Sequence, residues 1–304
     1  MAGGGDSTRA VLFALGANFA IAVAKGVAAF FTGSSAMLAE TVHSLADCGN
    51  QLLLLLGMRQ ARRPASPEYP LGYGKAIYFW SFLVAVMLFT VGGMFSLYEG
   101  IHKLQQPEPL KMWWWAAGVL VFGIVAESIS MRACMQEVNK ARGGRSLWRW
   151  FRESRQAELV VIFGEDLAAL LGLVFALIAV LLTVVTGNPI WDAVGTIFIG
   201  VLLIVVAVFV AIEVKAMLIG QSIDPERQAE LRRFIEDRPE VGRVISLITL
   251  QLGNDAMVSV QAQMREEHSA TALIEQINAV ERAMKAQFPE VKWSFFEPDV
   301  QADP

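Results

Sequence analysis

Residues 36–57, AMLAETVHSLADCGNQLLLLLG, are the stretch that decides how this chain is read. The run is long and apolar enough to cross a bilayer as a helix. Yet it carries His43 and Asp47, four residues apart. Four residues is just over one helical turn, so both side chains leave the same face. An ionisable residue inside a membrane helix is expensive, and two on one face are hard to explain by packing. Imidazole with carboxylate is a ligand set that suits zinc and its divalent neighbours. The functional reading is metal or proton chemistry. The structural alternative is a buried His–Asp hydrogen bond that pins two helices together.

Working outward, the 304-residue chain is 55% hydrophobic with a mean hydropathy of +0.47, too apolar for an ordinary soluble domain. Nearly all long apolar runs lie in residues 1–219, whereas 220–304 alternate polar and apolar positions as a water-soluble domain does. The boundary falls near Gly220-Gln221-Ser222. Six segments, near 9–32, 36–58, 76–102, 112–137, 157–186 and 190–217, are expected to span the hydrocarbon, each needing about 20 residues. The first lacks a basic n-region, carries Asn18 and Lys25 and precedes further spans, so it reads as a mature helix rather than a signal peptide.

The loops orient the bundle. Arg59, Arg62, Arg63 and Lys75 lie between the second and third spans, and Lys140, Arg142, Arg145, Arg149, Arg152 and Arg155 between the fourth and fifth. The TGSS and TGNP loops carry no basic residue. The positive-inside rule therefore puts both termini in the cytoplasm, in keeping with an even number of spans. The net charge of −4 decides little, because orientation follows Lys and Arg placement. Trp113, Trp114 and Trp115 open the fourth span, where an interfacial aromatic belt is expected. With no Arg-rich presequence, the expected location is a bacterial inner (plasma) membrane. Cys48 and Cys134 both fall inside spans and read as small buried hydrophobes.

The tail reads as helix–strand–strand–helix–strand, a small α+β domain whose sheet and helices share one core. Asp224-Pro225-Glu226 starts a helix, RVISLITLQLG and AMVSVQAQMRE are strands joined at Gly253-Asn254-Asp255, Ser269 caps a second helix, and VKWSFFE is the third strand. His268, beside Glu266 and Glu267, reads as a solvated loop residue.

Further acids lie at membrane depth. Glu165-Asp166 sit in VVIFGEDLAALLGL, followed by small residues that allow close helix packing. Charged residues in spans face the bundle interior and pair with something, and the obvious partners are His43 and Asp47. Glu127 lies mid-span in the fourth segment, as a ligand, a proton carrier or a protonated buried acid. Glu40, three residues before His43, suits an acceptor for the imidazole's second N–H. Asn18, Asn50 and Gln51 line the same cavity or make interhelical hydrogen bonds.

Taken together, these residues resemble the cation diffusion facilitators. Carrying the resemblance are the six spans, H-x-x-x-D in the second, acids in the fifth, the Pro70-Leu71-Gly72-Tyr73-Gly74-Lys75 stretch that opens the third, and the α+β tail. The resemblance implies a membrane all-α six-helix bundle with a C-terminal ferredoxin-like cytoplasmic domain, assembled as a homodimer. It implies export of Zn²⁺, with Mn²⁺, Fe²⁺ or Co²⁺ as alternatives, in exchange for H⁺. No cofactor and no nucleic-acid partner are expected. The implied metal site comprises His43, Asp47, Glu165 and Asp166, with Glu127 as an alternative fourth ligand or proton carrier and Glu40 and Asn18 behind it. Two departures stand out: Ile162 occupies the position of the fifth-helix histidine, and Tyr73 that of a loop histidine. The resemblance therefore implies one site per protomer, within the membrane. Glu165 would give the E-D version of the motif found in a subgroup that includes a mitochondrial zinc exporter.

Other classes fare worse. A passive channel conflicts with a compact four-ligand site, because tight binding slows exit. No H-E-x-x-H, G-x-S-x-G or phosphate-binding glycine loop supports an enzyme. A metal sensor would need ligands in a tail whose single histidine is His268.

Overall fold

Apolar runs without an interior Pro become long helices in the computed structural model, which describes residues 3–32, 35–106, 113–265 and 269–301. The side chains of residues 3–7, 9, 10, 28, 29, 31, 32 and 35–43 also lie outside the described residues. Helix α1 spans Gly3–Thr32 and α2 Ser35–Ala61. Then α3 (Ala76–Met87), a π-helical segment (Leu88–Met94) and α4 (Phe95–Gln105) run on as one rod. After them come α5 (Trp113–Ala141), a short α6 (Leu147–Glu153), α7 (Ala157–Thr186) and α8 (Ile190–Ile219). Helices therefore stand at all six expected positions. Among the described residues, four rods are long and apolar enough to cross a membrane: Ala76–Gln105, α5, α7 and α8. Helix α1 contributes the shorter apolar stretch Val11–Val27.

Packing follows from small residues. A Cβ on Gly200 of α8 would lie 2.7 Å from the Leu97 backbone nitrogen and 3.0 Å from the Gly93 carbonyl oxygen. The rod and α8 thus meet backbone to backbone, the arrangement small residues permit in membranes. Within the π-helical segment, Thr90 Oγ1 donates to the Val86 carbonyl at 2.8 Å, competing with the regular i→i−4 ladder. Helix α1 packs on α2 and α5, and α7 on α5 and α8. The basic loop after α5 is not irregular throughout: Ser146 caps α6 by accepting from the Arg149 N–H, and Trp150 and Phe151 are buried beneath it.

In the tail, Asp224 accepts from the Glu226 N–H and Pro225 opens α9 (Pro225–Glu236). Strand β1 (Val241–Leu252) turns at Gly253, whose φ is +68°, into antiparallel β2 (Asp255–Met264). Helix α10 (Ala270–Gln287), capped by Ser269, crosses over to β3 (Val291–Pro298), which pairs in parallel with β2. The sheet order is β1-β2-β3. Ala256, Val258, Val260 and Ala262 alternate onto the face covered by Leu231, Ile235, Val280 and Met284. The tail is bound to the bundle by Arg145 Nη1 on Asp224 (2.6 Å), Arg155 Nε on the Ser222 carbonyl (2.7 Å) and the Gly253 N–H on the Tyr78 hydroxyl (2.9 Å). A cleft of about 520 Å³ remains beside this contact, with Arg62, Arg63, Glu158, Asp255 and Lys292 in its walls.

One ion pair in the tail sets an expected pH dependence. Arg227 Nε donates to Glu290 at 2.6 Å, and the guanidinium carbon lies 4.4 Å from the centre of the Phe288 ring. Burial pushes the Glu290 carboxyl up, but the hydrogen bond from Arg227 and its charge outweigh this and hold it below the usual carboxylate range. A carboxylate depressed in the folded state stabilises above its unfolded value, about 4.3, and loses that stabilisation as pH falls through its folded value. Glu290→Gln should cost about 1 kcal/mol or less at pH 7, and the gap from wild type should close on acidification below about pH 4.3. Thermal unfolding of both proteins across that range measures it. A gap that stays constant with pH would leave the pair no electrostatic role.

Candidate metal centre

Helix α1 buries the stripe Val11, Ala14, Asn18, Ile21, Ala22 and Lys25, spaced three and four residues apart. Two polar residues on that stripe therefore face the bundle. Lys25 Nζ donates to Ser44 Oγ of α2 at 3.0 Å. Helix α2 next presents Asp47, Asn50 and Gln51, of which Asn50 and Gln51 are buried. Helix α5 presents Glu127 and Ser130, three residues apart on one face and both buried.

Successive helical residues point about 100° apart, so Glu165 and Asp166 of α7 reach different neighbours. Glu165 turns to α2, where Asn50 Nδ2 donates to one carboxylate oxygen at 3.0 Å and Gln51 Nε2 to the other at 2.8 Å. Asp166 turns to α5, accepting from Ser130 Oγ at 3.0 Å. Glu127 lies within electrostatic reach of Asp166, Asp47 and Lys25, and Glu165 within reach of Asp47 and Glu127. Four acids from three helices thus share one neighbourhood in an apolar bundle.

The expected residues fare unequally. Asp47, Glu127, Glu165 and Asp166 are linked by electrostatic reach, and Asn18 is buried on the α1 stripe. The side chains of His43 and Glu40 lie outside the described residues, as does His268. Among the described residues, no three His, Cys, Asp or Glu side chains form a group that could hold a metal ion. Chemically the cluster supplies hard oxygen donors whose negative charge a divalent cation or protons can neutralise, so the two compete for the same atoms. Ile162, where a second histidine was sought, is fully buried in the bundle core.

Lys25, Ser44 and Ser130 were not anticipated as members of this neighbourhood. Their spacing carried a signal: Lys25 follows Asn18 by seven residues, and Ser130 follows Glu127 by three, so each shares its neighbour's helical face.

Residues 11–219 match the family model described as the cation efflux transmembrane domain. The mitochondrial proton-coupled zinc antiporter SLC30A9 of Homo sapiens is 33% identical over 231 residues, 75% of this chain and 41% of the relative. Its Xenopus laevis counterpart is 35% identical over 225 residues, 73% of this chain and 40% of the relative. The zinc transporter ZitB of Escherichia coli is 25% identical over 275 residues, 90% of this chain and 82% of the relative. The chain spans about 40% of the length of the SLC30A9 proteins it matches. With the family model covering residues 11–219, most of the chain, the chain belongs to the cation efflux family, the cation diffusion facilitators.

Proposed function

We propose that this protein exports a divalent cation, Zn²⁺ foremost, in exchange for protons. The observation that carries this reading is the convergence of Asp47, Glu127, Glu165 and Asp166 inside an apolar bundle. Carboxylates so placed are costly unless neutralised, and a dehydrated M²⁺ or protons neutralise them equally well. In our reading His43, Asp47 and Asp166 hold the ion, the fourth position falls to Glu165 or Glu127, and Glu40 and Asn18 support them.

Six spans place both termini in the cytoplasm. Residues 1–219 form the transport domain and 220–304 a ferredoxin-like domain through which two protomers dimerise. Rocking of the bundle exposes the site to one side at a time. Protons arriving from the far side take the carboxylates, release the metal and return with the empty carrier, so no separate proton path is needed. The names of the similar proteins, a proton-coupled zinc antiporter and a zinc transporter, support this reading. Mn²⁺, Fe²⁺ and Co²⁺ are the alternative substrates, because a site rich in oxygen donors accepts them.

The test is purified protein in proteoliposomes holding a zinc-sensitive dye. An imposed proton gradient should drive zinc across the membrane, and collapsing the gradient should stop it. Zinc flux indifferent to the gradient would instead favour a passive channel. No flux of zinc, manganese, iron or cobalt would overturn the reading.

A further inference from the structure

We infer that Asn50 contributes its amide oxygen directly to the transported cation; this deepens the transport reading and rests on it. Asn50 is 3% exposed, and its Nδ2 donates to Glu165. With Glu165 ionised, that bond orients the amide, because nitrogen is then the only donor of the pair. The other end, Oδ1, is buried and has no hydrogen-bond partner among the described residues. A buried amide acceptor left unpaired costs on the order of 1–3 kcal/mol, so native proteins seldom keep one without a use for it.

The surroundings supply that use. Asn50 and Asp47, one helical turn apart on α2, line a small cavity of about 10 Å³ with Ala46. That is room for roughly one water-sized body. The opposite wall is Met87, Leu88, Val91 and Gly92, all but Met87 in the π-helical segment. Such segments recur at functional sites. That wall is apolar apart from its backbone, and among the described residues the polar side chains lining the cavity are the Asp47 carboxylate and the Asn50 amide. A carboxylate and an amide oxygen facing one ion-sized space are hard donors suited to a dehydrated divalent cation. Glu165, with both oxygens accepting from α2, aims the amide, and Asn50 joins the residues that hold the ion.

The experiment measures Zn²⁺ and Cd²⁺ binding, each ion alone, to the detergent-purified full chain and to Asn50→Ala and Asn50→Cys. Asn50→Ala should weaken Zn²⁺ binding by about tenfold or more. Asn50→Cys should raise the preference for Cd²⁺ over Zn²⁺ by about tenfold relative to wild type, because a thiolate in the ligand position favours the softer ion. A purely structural Asn50 would not move that ratio. An unchanged cadmium-to-zinc ratio in Asn50→Cys overturns the assignment whatever Asn50→Ala does, and Asn50→Cys alone decides if Asn50→Ala does not fold. Wild-type protein that binds neither ion overturns the transport reading and this assignment with it; wild-type binding with an insensitive ratio overturns this assignment alone.

Discussion

Asp47→Ala and Asp166→Ala should each abolish proton-driven zinc flux, leaving at most about one hundredth of the wild-type rate. Even partners that only orient a ligand cost 10- to 100-fold when lost, and these two are proposed to touch the ion itself. Each removes one negative charge from a cluster whose remaining acids must still offset a divalent cation in low dielectric. The structure also sets a graded control. Among the described residues, Ser130 reaches the cluster by donating to Asp166. Ser130→Ala should therefore weaken transport by tens of fold at most, without abolishing it. The readout is dye-reported zinc entry into proteoliposomes at equal protein density. If either aspartate variant transports at the wild-type rate, the site lies elsewhere.

The second large effect is structural. Gly200→Leu should prevent assembly of the bundle. The added Cβ meets the Leu97 backbone nitrogen and Cα and the Gly93 carbonyl, and backbone cannot swing aside as a flexible side chain can. The neighbouring contacts offer no slack: a Cβ on Gly93 would meet Ile204, and one on Gly100 would meet Ile197. Overpacking commonly costs about 1–3 kcal/mol, and a clash with fixed backbone belongs at or beyond the upper end. Size-exclusion profiles and melting of the detergent-solubilised protein measure it. Val201, one residue on and largely exposed on the bundle's outer surface, is the control: Val201→Leu should melt as wild type does. Equal melting of the two variants would mean that α8 and its neighbouring rod are free to separate.

Much of this was legible in the residues. The apolar runs located the long helices to within a few positions, four of them long and apolar enough to cross a membrane, because a lipid-exposed backbone leaves little choice but helix. Asp224-Pro225 and Ser269 marked two helix starts in the tail, since capping chemistry is local. Glu165 and Asp166 were legible as buried acids because charge at membrane depth is costly and turns inward to find partners. Which partners they find was not legible. The neighbour each acid reaches depends on how α7 is rotated against α2 and α5, and rotation is set by packing that no single helix encodes. The π-helical segment was hidden because Leu88–Met94 is as apolar as its flanks, and only Thr90, two residues before a Gly pair, hints at a broken ladder. Helix α6 was hidden in a loop read for its charge, where Trp150 and Phe151 were the overlooked apolar signal. The parallel pairing of β2 with β3 likewise comes from the α10 crossover, not from either strand.

The π-helical segment also changes how the length of its helix is to be counted. A wide turn of this kind stores one residue more than an α-helix of equal advance. In α5, α7 or α8, deleting a residue turns everything beyond it by about 100°. Within Leu88–Met94 the same deletion draws the surplus out, so Tyr78 and Val84 on one side and Gly100 on the other keep their bearings. What vanishes is the bulge against Asp47 and Asn50. A relative one residue shorter at this point would thus share the bundle and lack the cavity, and a single gap in an alignment would mark the difference.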